Sequence, residues 1–111
     1  MMHRFLSIFF LLFLFSACSQ PLPENKLSYA GEWQSKEMRL LILKDGTVAY
    51  KRIKGGGSTS VNGPIKVFDG DDFKVGVWFL TTTFEVSEPP HEINGKWQMV
   101  VDGVRLTRVN E

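Results

Sequence analysis

The 111-residue chain holds one cysteine and two histidines, and its basic and acidic side chains nearly cancel, 13 against 12. A lone thiol, Cys18, forms no disulfide within the molecule, so a folded region has to be held by packing. Two histidines leave little for a metal centre or a general base: His3 lies at the start of the chain, and His91 stands alone in the rest. The lack of a basic excess argues against nucleic acid and against electrostatic docking on anionic lipid, both of which need clustered positive charge. No apolar run reaches the roughly 20 residues of a membrane-spanning helix. Long helix-forming stretches are also missing.

What is present begins with a leader. His3 and Arg4 supply a positive start, Phe5 to Phe15 are apolar apart from Ser7, and the small residues Ser16 and Ala17 follow. That is the three-part build of a secretory signal peptide. A thiol stands immediately after the small pair, and the stretch Leu14-Phe15-Ser16-Ala17-Cys18 resembles the lipobox of bacterial lipoproteins. The resemblance implies cleavage between Ala17 and Cys18, diacylation of the Cys18 sulfur, palmitate included, and acylation of the new amino group. It also implies an outer-membrane destination facing the periplasm, because Ser19 stands where an inner-membrane lipoprotein tends to carry aspartate. Several acyl chains are needed for lasting attachment, since each buried methylene contributes only about 0.8 kcal/mol.

The expected organisation is therefore a signal peptide over 1–17, a tether over 18–28 and a β-domain over 29–111. Removing the leader takes away Arg4 and leaves 12 basic against 12 acidic residues, a formally neutral chain. It also removes Phe5, Phe9, Phe10, Phe13 and Phe15, five of the nine phenylalanines. Pro21 and Pro23 predict an extended tether, which at about 3 Å per residue places the start of the domain, near Tyr29, up to ~25–30 Å from the lipid surface.

Turn chemistry organises the remainder. Asp45-Gly46, Asn62-Gly63, Asp69-Gly70, Asn94-Gly95 and Asp102-Gly103 are dipeptides that accept positive φ at low steric cost, as two-residue hairpins demand. Between them, Val, Ile, Thr, Trp and Phe dominate the runs 32–35, 38–44, 47–54, 64–68, 73–83 with 84–86, 96–101 and 104–109. Alternation places Phe73, Val75, Val77 and Phe79 on one face, and Trp97, Met99 and Val101 likewise. Leu40 to Leu43 are apolar on both sides, which predicts a strand that is central or covered on both faces. The expected fold is all-β: a small antiparallel meander of about seven or eight strands, curled as a bent sheet or an up-and-down barrel.

Gly31-Glu32-Trp33-Gln34 and Gly95-Lys96-Trp97-Gln98 each place a tryptophan just after a glycine, and both indoles are expected in the core. The first tetrapeptide resembles the Gly-x-Trp motif that opens lipocalins and other calycins. In that family the tryptophan plugs one end of a barrel and an arginine from the last strand lies over it, a role that falls here to Arg105 or Arg108.

Candidate chemistry is sparse. Glu88, His91 and Glu92 share a stretch with Pro89 and Pro90 that reads as a solvated loop, and Lys54-Gly55-Gly56-Gly57-Ser58 lacks the Gly-Lys-Ser/Thr end of a phosphate loop, so it reads as a hairpin tip. Lys51, Arg52 and Lys54 read as a guarded edge strand, and Asp69, Asp71 and Asp72 as a turn. Ser58, Thr59, Ser60 and Thr81 to Thr83 have no histidine base at useful range. No catalytic, cofactor-binding or metal-ligating residue is assigned. The expectation is a lipoprotein whose non-enzymatic β-domain binds an envelope protein or an apolar ligand, with a small calycin-like carrier as one alternative and a hydrolase using Glu85, Glu88 or Glu92 as a remoter one.

Overall fold

A computed structural model of the chain describes residues 20–77 and 79–109. After the 3-10 helix Glu24–Tyr29 come nine strands: β1 Gly31–Gln34, β2 Met38–Ile42, β3 Thr47–Lys54, β4 Gly57–Asp69, β5 Asp72–Val77, β6 Leu80–Phe84, β7 Val86–Ile93, β8 Lys96–Val101 and β9 Val104–Val109. They form one antiparallel sheet in the order β6-β5-β4-β3-β2-β1-β9-β8-β7. The all-β curled meander expected from the sequence is present, with nine strands. Among the described residues no helix is long and apolar enough to cross a membrane.

Closure is uneven. β1 pairs with β9, Glu32 opposite Val109 and Trp33 opposite Arg108, so the first and last strands lie side by side. β6 and β7 are the two edges of the sheet, yet only Glu85 separates them in the chain. The sheet must therefore curl until its edges approach. A half-barrel results, with a seam between β6 and β7. Two aspartates bind the backbone along it: Asp102 accepts from the Glu85 N–H at 2.9 Å and Asp72 accepts from the Val86 N–H at 2.7 Å. The Asp102 N–H returns a bond to the Glu85 carbonyl at 2.7 Å.

β4 turns the sheet over. Its residues 57–64 pair with β3, whereas 65–69 pair with β5, and the register shifts between Ile65 and Val67. An irregularity of this kind bends a strand and increases its twist. Asn62-Gly63, expected as a hairpin turn, lies inside β4 instead. The β3–β4 reversal is made by Gly55 and Gly56, at φ 59° and 83°. Asn94-Gly95 and Asp102-Gly103 do form hairpin turns, both residues of each pair at positive φ, as a type I′ geometry requires.

β7 is the other correction. The stretch expected as a loop is a strand, with register shifts between Val86 and Glu88 and between Glu88 and His91. Pro89 and Pro90 are accommodated because β7 has a partner, β8, on one side only, where a missing N–H disrupts no second ladder.

The concave face holds the core. Trp33, Tyr29, Phe73, Phe84, Met38, Leu40, Ile42, Met99, Leu106, Val75 and Val101 are fully buried. Rings link across it: Tyr29 meets Phe73 at 6.1 Å, Phe73 stacks on Phe84 at 5.1 Å, and Phe84 meets Tyr50 edge-on at 4.9 Å. Two strands depart from the expected burial. β2 is central, between β1 and β3, yet covered on one face only: Leu40 and Ile42 are buried while Leu41 is half-buried and Leu43 exposed. Phe73 and Val75 are buried, but Val77 and Phe79 are 52% and 83% exposed, because the β5–β6 hairpin runs past the sheet that would cover it.

Order begins before Tyr29. Leu22 is buried and its N–H donates to the Lys44 carbonyl at 3.0 Å. Residues 24–28, expected within the tether, wind together with Tyr29 into the 3-10 helix, with Pro23 as its N-cap. Proline there gives up no helical hydrogen bond.

Candidate functional site

The residues of the two Gly-x-Trp tetrapeptides and of the last strand converge at one end of the half-barrel. On β9, Val104 and Leu106 are buried, and Arg108 follows them on the inward-facing side. Trp33 stands opposite Arg108 on β1, and the β8–β9 register carries Trp97 to the other flank. The guanidinium carbon lies 5.7 Å from the Trp33 ring centre and 5.0 Å from that of Trp97. Of the two candidate arginines, Arg108 takes this place. Arg105 points outward and donates to Glu88 Oε2 at 2.8 Å and to Gln98 Oε1 at 3.3 Å.

Gly31 makes the arrangement fit. Its φ is 142°, and a side chain built there would bring Cβ to 2.6 Å from Arg108 Cδ and 3.1 Å from Cγ. The arginine stem thus lies in the space that glycine leaves. Trp33 is fully buried, and its indole N–H donates to the Tyr29 carbonyl at 3.0 Å, fastening the 3-10 helix over the same end. Trp97, expected in the core with Trp33, is only half-buried, since it sits at the rim with the arginine above it. Glycine two before tryptophan was the visible signal of this cluster; the choice between Arg105 and Arg108 depended on strand parity.

Tyr29 packs edge-on against Phe68 and Phe73, and its hydroxyl donates to the Asp71 carbonyl at 2.8 Å. Burial, then the charges of Asp71 and Asp72, push its pKa up to about 12. Burial raises the Tyr50 phenol as well.

The expected carboxylates do not assemble into a site. Glu88 is taken by Arg105, and His91 lies 3.6 Å from it while facing the Pro89 carbonyl with Nδ1. Glu92 and Glu85 are exposed. Among the described residues no group of three or more His, Cys, Asp and Glu side chains is placed to hold a metal ion. Asp45 is held below its ordinary pKa by the Thr47 hydroxyl and N–H, the direction opposite to that of a general acid.

Surface grooves offer shape rather than chemistry. One of about 330 Å³ on the outer face of β1–β4 is bordered by Glu32, Arg39, Leu41, Lys51 and Ser60, with the Glu32 carboxylate accepting from Gln34 at 2.6 Å and from Arg39 at 3.2 Å. Another, of about 420 Å³, lies along Tyr50, Arg52, Lys54 and the Gly57–Thr59 stretch, where Arg52 pairs with Glu37 at 3.3 Å. Ser58, Thr59 and Ser60 lie on β4 and Thr81 to Thr83 on β6, all exposed. Ala17 and Cys18 lie outside the described residues. No protein family, curated protein or solved structure matches this chain.

Proposed function

We propose that the chain is a bacterial lipoprotein, acylated on Cys18 after cleavage behind Ala17, whose β-domain works as a non-enzymatic binding or interaction module at the outer membrane, facing the periplasm. The observation that carries this reading is the sequence Leu14-Phe15-Ser16-Ala17-Cys18 at the end of a signal-like leader. The scarcity of catalytic groups supports the non-enzymatic part, since a nucleophile needs a base beside it and the one histidine beyond the leader is committed to Glu88 and the Pro89 carbonyl. A calycin-like relationship has its own support: Arg108 lies over Trp33, which follows Gly31 at the spacing of that family's opening motif. A carrier of an apolar ligand would need room, however, and the concave face is filled by packed side chains.

Cells producing the wild-type chain should incorporate labelled palmitate and retain the protein in the membrane fraction, whereas Cys18→Ser should release it. Retention of Cys18→Ser in the membrane, with no label ever incorporated by the wild type, would refute the anchor. Crosslinking in intact cells followed by mass spectrometry tests the module: recovery of no protein, lipid or glycan above background counts against it.

A further inference from the structure

The described chain starts as a docked segment rather than a free tether. The Gln20 backbone lies directly over Gly46, so closely that a side chain on Gly46 would strike the Gln20 carbonyl. Two residues on, Leu22 is buried and bonded to Lys44, and Lys26 donates to the Gly70 carbonyl at 2.8 Å. Only Ser19 separates Cys18 from Gln20. Two residue steps reach at most about 7 Å.

We infer that the half-barrel end around the β2–β3 turn is held against the bilayer itself, as a lipid-contact surface. This rests on the proposed acylation of Cys18 and adds an orientation to it. The surface at that end suits the role. Leu43 and Val109 are 46% and 40% exposed, and with Ala30, Ile42, Glu32 and Lys44 they border a groove of about 360 Å³. Lys44 stands exposed beside them, with a stem long enough to keep its charge at the headgroups. Asp45 stands exposed beside Lys44 in the turn, and Lys26 lies 3.7 Å from Asp71, so this end carries no unbalanced cluster of positive charge and the contact does not rest on anionic lipid. The opposite end, where the Ile53 N–H bonds to the Glu37 carbonyl, is carried about 20 Å further out by β3.

The test uses the full-length acylated chain in vesicles of phosphatidylethanolamine and phosphatidylglycerol containing headgroup-spin-labelled lipid. Because acylation consumes the Cys18 thiol, Leu43→Cys and Ile53→Cys each accept a fluorophore at one exposed site. Position 43 should be quenched strongly and position 53 no more than by the same quencher free in solution. Inserting about ten Gly/Ser residues between Ser19 and Gln20 should abolish the difference. Equal quenching at both positions in an acylated, vesicle-bound chain, or a difference that survives the insertion, would overturn the inference. Failure of the anchor reads differently: the wild-type chain then takes the thiol label at Cys18 and does not float with the vesicles.

Discussion

Gly31, Trp33 and Arg108 act as one unit, because the arginine stem occupies the volume a Cβ at position 31 would need. Gly31→Ala should therefore destabilise the fold by about 1–3 kcal/mol, through the φ of 142° and the collision together. In an Arg108→Ala background the same change should be milder, with a coupling of about 0.5 kcal/mol or more in urea unfolding. Strict additivity would mean that the two residues do not share space. The sequence displayed half of this unit. A glycine two before a tryptophan is visible in one dimension, but Arg105 and Arg108 differ by three positions, an odd number, so they fall on opposite faces of a strand. Telling them apart requires the register of β9 against β1, which turn residues alone do not specify.

At the scale of strands, legibility followed the tightness of the turns. The runs 47–54, 96–101 and 104–109 coincide with β3, β8 and β9, the first two bounded at both ends and β9 at its start by Gly-containing reversals that the chain uses. β4 and β7 were hidden for opposite reasons. In β4 a good turn dipeptide, Asn62-Gly63, stays within the strand because the chain has already reversed at Gly55-Gly56, in the hairpin tip expected over 54–58. In β7 a proline pair masks a strand whose edge position makes the lost donors cheap. The seam between β6 and β7 was not legible at all, since Asp72 and Asp102 read only as turn residues until the curl of the sheet brings them to the Glu85 and Val86 amides. Asp72→Ala should leave the half-buried Val86 N–H without its acceptor, a loss of about 1–3 kcal/mol, and should speed hydrogen exchange at Val86 more than at central β2 amides. Unchanged exchange at Val86 would show that the carboxylate does not hold the seam.

For the whole molecule, Tyr29 is the joint that ties the 3-10 helix, the β4–β5 turn and the core together, and its ionisation reports on all three. Its folded pKa of about 12 lies above the ordinary value of 10.0. The native state thus keeps the phenolic proton at a pH where the unfolded chain gives it up. The resulting stability is present in full below pH 10 and is lost as pH rises through 12. Urea midpoints measured from about pH 9 upward should fall more steeply for the wild type than for Tyr29→Phe, which lacks the titrating group. Parallel curves would mean that the phenol is not buried in the native state.

The pairing of β1 with β9 has a mechanical consequence. Glu32 lies opposite Val109, so the two termini of the fold leave from the same end of adjacent antiparallel strands. A pull on the C-terminus against a fixed N-terminal anchor would load the β1–β9 bonds one pair at a time. The first and last strands would peel apart like a zip rather than resist together in shear, and the sheet would part in its middle, away from the β6–β7 seam.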